Sequence, residues 1–234
     1  MLSFFFYTKF SLIYYIYMRV EIEVPTSLED ITLEQYQKFN KVNTEDNKDS
    51  TFLLHKTVEI FCGLDLKDTL KIKYSSVSEI IGRLNKIFEE TPDLSKTFTF
   101  NGVEYGFIPS LDDMTLGEYV DLDETFGDWD NMHKAMAVLY RPITNKSRGR
   151  YLIEDYEGSK NAEAFKKLPL SIVFGTTVFF YNLSNELLET TLSFLKKELP
   201  ESLTSQERLS LEESMDFISR YTGSLKETFF GSKR

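Results

Sequence analysis

Pro25-Thr26-Ser27-Leu28-Glu29-Asp30-Ile31-Thr32-Leu33-Glu34-Gln35-Tyr36 is answered later in the chain by Pro109-Ser110-Leu111-Asp112-Asp113-Met114-Thr115-Leu116-Gly117-Glu118-Tyr119. From Ser27 to Ser110 the offset is 83, and it holds without a gap through Tyr36 and Tyr119. A second block comes after each copy. Leu54-His55-Lys56-Thr57-Val58-Glu59-Ile60-Phe61 stands beside Met132-His133-Lys134-Ala135-Met136-Ala137-Val138-Leu139, at an offset of 78. The difference falls in the polar stretch Asn43 to Ser50, where a change of loop length costs little. A repeat of this kind decides the architecture before any single residue does.

Each copy has a physical reading. Thr32 with Gln35, and Thr115 with Glu118, have the spacing of a capping box, so a helix is predicted to begin after each threonine. Leu33, Tyr36 and Phe39, and in the second copy Leu116, Tyr119 and Leu122, recur at three-residue steps, predicting one buried stripe apiece. Thr51 to Phe61 and Asn131 to Tyr140 read as second helices, stopped by Gly63 and by Pro142. A further helix is predicted from Val77 to Phe88, capped by Ser76 with Glu79 three residues on. Arg19 to Val24 alternates like a strand. Thr97-Phe98-Thr99-Phe100 and Val103-Glu104-Tyr105-Gly106-Phe107 flank Asn101-Gly102, a strong hairpin signal. Thr144 to Tyr156 reads as a polar loop, Leu170 to Leu199 as a long apolar helix region, and Ser205 to Tyr221 as an amphipathic helix carrying Leu209, Leu211, Met215, Phe217 and Ile218. The fold class is therefore α+β, mainly α-helical: a tandem duplicated helical unit with a small β-hairpin sheet. The expected divisions are an aromatic extension over 1–17, a first helical unit with its strand over 18–95, a hairpin plus second unit over 96–200, and a C-terminal helix and tail over 201–234.

The composition bounds the function. The 234 residues hold 27 Lys+Arg against 37 Asp+Glu, a net charge of −10, which does not supply the basic face that duplex-DNA binding needs. The single cysteine, Cys62, excludes an internal disulfide and a multi-thiolate metal site and suits a reducing compartment. The first seventeen residues include Phe4, Phe5, Phe6, Tyr7, Phe10, Tyr14, Tyr15 and Tyr17, with Lys9 as their one charge. They lack the basic start and cleavage site of a signal peptide, and Lys9 interrupts the run that a membrane span would need. An upstream start codon or an unstructured extension is the preferred expectation, and a weak membrane-surface anchor the functional alternative.

Candidate chemistry begins with the histidines. His55 and His133, the only two, occupy matched positions. A hydrolase or metal-dependent enzyme would pair His133 with Asp112, Asp113 or Asp128. Against it, Lys follows each histidine in an apolar helix, and no Gly-x-Ser-x-Gly, His-Glu-x-x-His or Cys/His cluster is present. The preferred reading is a half-buried helix residue bonded to the adjacent loop. Glu29, Asp30, Asp112 and Asp113 stand where helix dipoles favour negative charge. Asp121, Asp123, Glu124, Asp128 and Asp130 resemble a calcium loop only in composition. Arg141, Lys146, Arg148 and Arg150 form a basic cluster that reads as a solvated loop before it reads as a phosphate site. Phe174, Val178, Phe179, Phe180, Tyr181 and Phe194 make a helix apolar on most sides, which must be central to a core or meet a partner. Phe229 and Phe230 put a hydrophobic pair near the C-terminal end.

The segment Tyr105 to Asp123, continuing from Met132 through Tyr140-Arg141-Pro142-Ile143, resembles a group of small proteins encoded in the structural-gene regions of tailed bacteriophages. Phe165-Lys166-Lys167-Leu168-Pro169-Leu170-Ser171 and Phe179-Phe180-Tyr181-Asn182-Leu183 are similar to the same group. The resemblance covers roughly the second half, the first copy being a divergent echo. It implies a non-enzymatic, tail-assembly-chaperone-like or virion-associated protein without cofactor or metal. Its partner would be a phage tail or capsid structural protein, or a second copy of the chain, and neither nucleic acid nor membrane. It would act in the host cytoplasm during assembly, with retention in the virion left open. The partner-binding residues expected on this reading are Phe179, Phe180, Tyr181, Phe217, Phe229 and Phe230. An acidic mimic of DNA ranks last, because the carboxylates are interleaved with lysines.

Overall fold

A computed structural model describes residues 22–48 and 50–198 of the chain. The chain divides between Glu90 and Thr91 into two units. The predicted strand over Arg19 to Val24 does not form within the described residues, where 22–26 are irregular. The amphipathic helix expected over Ser205 to Tyr221, with Phe217, Phe229 and Phe230, lies outside the described residues.

The first unit is helical. A 3-10 turn over Leu28–Asp30 leads into α1, Leu33–Val42. Helix α1 starts where its capping box dictates: Thr32 Oγ1 accepts from the Gln35 amide at 3.3 Å, and Gln35 Oε1 accepts from the Thr32 amide at 2.9 Å. Helix α2, Thr51–Cys62, is capped by Ser50 and ends at Gly63, whose φ of 63° places it in the left-handed region that closes a helix. A short α3, Leu66–Thr69, precedes α4, Tyr74–Phe88. Helix α4 starts before the predicted Ser76 cap, at Lys73, whose side chain makes no capping bond. The amides of Ser76 and Val77 both reach the Lys73 carbonyl, so the backbone alone carries the extra turn. Val77, Ile80, Leu84 and Ile87 are the buried stripe of α4. Phe88 at its end stacks on Phe39 of α1 at 6.2 Å, packs tilted against Tyr36 at 5.8 Å, and meets Phe61 of α2 edge-on at 5.2 Å. Leu33 is fully buried in the same core.

The second unit holds a four-stranded antiparallel sheet in the order β1-β2-β3-β4, formed by Thr97–Phe100, Val103–Phe107, Tyr140–Ser147 and Arg150–Ile153. Asn101 and Gly102, with φ of 51° and 78°, make the predicted tight turn between β1 and β2. Helices α5, Leu116–Thr125, and α6, Met132–Leu139, are inserted between β2 and β3. Helix α6 is not stopped by Pro142. It ends at Leu139, the chain passes straight into β3, and Tyr140 pairs with Phe107 and Pro142 with Tyr105. The stretch Thr144 to Tyr156, predicted as a loop, is largely a second hairpin turning at Arg148 and Gly149, with φ of 51° and 77°. Pro142 has no N–H to donate, and its carbonyl accepts from the Glu154 amide where β3 changes neighbour from β2 to β4.

A 3-10 turn over Ala162–Lys167 leads into α7, Leu170–Glu198, a helix of 29 residues that spans about 43 Å. Leu170 and the run from Ile172 to Thr177 are buried. Thr176 and Thr177 donate to the carbonyls of Ile172 and Val173 at 2.8 and 2.9 Å, so their hydroxyls enter the core satisfied. Tyr140 donates to the Ser95 carbonyl at 2.9 Å and lies 3.0 Å from Thr176 Oγ1, tying β3 to α7. No helix among the described residues is long and apolar enough to cross a membrane.

Candidate functional site

The two copies share their beginning and then part. In both, the third helical residue closes the capping box and also ties the first helix to the second. Gln35 donates through Nε2 to the Ile60 carbonyl at 3.0 Å. Glu118 does the same with charge: its carboxylate accepts from the Thr115 amide and hydroxyl at 2.6 and 2.8 Å and pairs with Arg141 at 2.6 Å, just past α6. Burial alone would raise the Glu118 pKa, but the Thr115 hydrogen bonds and the Arg141 charge outweigh it and hold the group below its ordinary value. The Arg141 guanidinium also lies over the Tyr156 ring at 5.7 Å, and Tyr156 donates to Asp121. Burial first, and the Asp121 bond second, push the Tyr156 hydroxyl up to about 12.

Of the predicted stripe of α5, Leu116 and Tyr119 are not buried, while Leu122 is half-buried like Phe39 in the first copy. Leu116 is 79% exposed and Tyr119 59%, while their partners in the first copy are the fully buried Leu33 and the half-buried Tyr36. The cause lies in what the chain supplies after each helix pair. After α2 the chain supplies α4, whose Phe88 covers Tyr36 and Phe39. After α6 it enters the sheet. Tyr156 instead packs beside Gly117, on another side of α5. At about 100° per residue, Leu116, Tyr119 and the exposed Val120 fill one side of α5, opposite its buried residue Glu118.

Of the aromatic residues expected at a partner surface, Phe179 and Phe180 are engaged within the unit. Phe179 meets the Phe107 ring edge-on at 5.6 Å, and Phe180 meets Phe126 at 4.8 Å. Both rings, and Tyr181, are half-buried. The exposed apolar residues of α7 come later, at Leu183, Leu187 and Phe194.

His133 is buried in α6, and its Nε2 lies 3.3 Å from a Glu163 oxygen. Burial, and then the nearby Lys166, lower its pKa below the ordinary 6.5, against the opposing pull of Glu163. The acids that the sequence offered to His133 are otherwise placed. Asp112 and Asp113 are exposed in the turn before α5. Asp128 accepts from the Asp130 amide at 3.0 Å and from Asn131 Nδ2 at 2.6 Å, in the turn that starts α6. Glu163 carried no signal in the sequence, since only the packing of the 3-10 turn on α6 brings it to His133. His55 is half-buried in α2.

The rest of the candidate chemistry is scattered. Arg141 is half-buried against Glu118, Lys146 pairs with Glu104 across the sheet, and Arg148 sits in the β3–β4 turn, so the basic cluster is spread along a hairpin. Burial pushes the Cys62 thiol up to about 11, which leaves little thiolate near neutrality. A cavity of about 780 Å³ opens beside the sheet between Tyr105, Arg141, Glu154, Glu157 and Lys160, and no histidine, cysteine or serine lines it. Among the described residues, no group of three or more His, Cys, Asp or Glu is placed to hold a metal ion.

The molecule is thus an α+β protein whose most distinctive described surface is an apolar helix face. The chain matches no protein-family model, no curated protein and no solved structure.

Proposed function

We propose that this protein is a non-enzymatic assembly factor or minor virion protein of a tailed bacteriophage, tail-assembly-chaperone-like, which binds another phage structural protein through an apolar helix face. The observation that carries the reading is the α5 stripe of Leu116, Tyr119 and Val120, exposed where the first copy buries its counterpart. An apolar side on a helix is stable in water only at a cost of about 25 cal/mol for each Å² left uncovered, so a partner helix gains by covering it. The acidic balance of the chain favours a partner with a basic rim and disfavours association with like-charged copies. The resemblance of Tyr105 to Asp123 and of Met132 to Ile143 to phage structural-region proteins supports a tail or capsid component, met in the host cytoplasm during assembly, as the partner class.

The test is co-expression with the neighbouring structural proteins, followed by size-exclusion chromatography with light scattering. A stable complex is expected, and Leu116→Asp with Tyr119→Asp is expected to abolish it without changing the melting temperature. Free monomer in every combination overturns the reading. A complex that the double variant leaves intact removes α5 from it.

A further inference from the structure

The last turn of α5 is charged against its own helix. Of the four acids in Leu116–Thr125, Glu118 is held by Arg141 and Asp121 by Tyr156. Asp123 and Glu124 are exposed, and among the described residues the side chain of neither makes a hydrogen bond or an ion pair. They stand at the negative end of the helix dipole, with no basic residue in the last turn. The first copy does the opposite at the matched positions, where Asn40 and Lys41 end α1 and the lysine suits that end. The two acids also continue the exposed stripe. Leu116, Tyr119, Val120, Asp123 and Glu124 follow the i, i+3, i+4, i+7, i+8 spacing of one helix face, so the apolar patch runs directly into the carboxylates.

We infer that the occupant of the α5 face is a basic amphipathic helix of another protein. Apolar residues three or four apart on that helix cover Leu116, Tyr119 and Val120, and a lysine or arginine one turn further on meets Asp123 and Glu124. This rests on the reading of α5 as a contact surface and adds the chemistry of what contacts it. Charge selects the occupant. A second copy would bring the same carboxylates and a net charge of −10 against itself. An anionic membrane surface or a nucleic acid repels them as well. A cation placed by a partner offsets the clash of the two acids with the dipole, so the complex supplies what the free helix lacks.

Nuclear magnetic resonance of the isotope-labelled full chain tests it. The probe is a blocked helical peptide of about 15 residues with leucine on one face and lysine on the other, and its counterpart carries glutamate in place of lysine. The lysine peptide is expected to shift the amides of α5, and the glutamate peptide to bind at least tenfold more weakly. Asp123→Asn with Glu124→Gln is expected to weaken the lysine peptide about fivefold while holding or raising the melting temperature, because it removes charges that the free helix disfavours. Leu116→Ser with Tyr119→Ser is expected to weaken it at least tenfold, since the apolar contact is lost. Equal binding of the two peptides, shifts confined to residues outside α5, or an acid-free variant that binds as the native chain does overturns the inference. A lysine peptide that binds α5 when no phage structural protein joins the chain supports the inference and sinks the phage reading. A phage complex indifferent to Asp123→Asn with Glu124→Gln does the reverse.

Discussion

Glu118 holds an amide, a hydroxyl and a guanidinium at once, so its removal leaves more behind than a lost cap. Its side chain is 5% exposed and that of Arg141 13%, and an Arg141 stripped of its counter-charge cannot turn to water without breaking its place over Tyr156. Glu118→Ala is therefore expected to destabilise the second unit by about 3 kcal/mol in urea unfolding, whereas Gln35→Ala, which loses only neutral bonds, is expected to cost about 1 kcal/mol in the first. The carboxylate binds its proton less readily in the folded protein, so its contribution is complete above pH 4.5 and is lost as pH falls through the lowered value. His133 works with the same sign at higher pH. Its folded pKa lies below 6.5, so the unfolded chain takes up the proton first, and stability declines as pH falls from 6.5 through the folded value. His133→Gln is expected to flatten that decline in unfolding curves taken between pH 5 and pH 7. A slope unchanged by the substitution assigns the dependence to other groups.

Among the elements, α7 depends on one close approach. A Cβ on Gly175 would lie 2.4 Å from the Asp93 carbonyl oxygen, and backbone cannot swing away as a side-chain tip can. Gly175→Ala is therefore expected to destabilise the second unit by about 1–3 kcal/mol, despite the better helix propensity of alanine, and calorimetry checks the sign. A gain in stability would mean that the segment before β1 moves freely. Whether an element is legible in the sequence depends on where its signal resides. The β1–β2 hairpin is legible because Asn101 and Gly102 both suit positive φ. The β3–β4 hairpin is not, because arginine at 148 carries no such preference and Pro142 argues against a strand. The capping boxes at Thr32 and Thr115 are local chemistry and place α1 and α5 to the residue. The start of α4 at Lys73 rests on backbone bonds alone, which leave no mark on side-chain choice.

At the scale of the whole chain, the repeat predicts the helix pairs and fails on what covers them. Matched residues have the same neighbours along their own helix, but burial is set by elements remote in sequence, α4 in one unit and the sheet in the other. The pairing of His133 with Glu163 was hidden for the same reason. This difference yields a paired test that neither unit could give alone. Leu33→Asp places an unpaired charge at a position with no solvent access, and the carboxylate must either be desolvated or force the core open. It is expected to cost about 3–5 kcal/mol in chemical denaturation. Leu116→Asp, the same substitution at the matched position, puts a carboxylate into water at the first turn of a helix, where the dipole favours it. It is expected to change stability by less than about 0.5 kcal/mol, or to raise it slightly. Equal losses at the two positions would mean that the α5 stripe is covered within the free monomer, and its role as a surface for another protein would fall with that result.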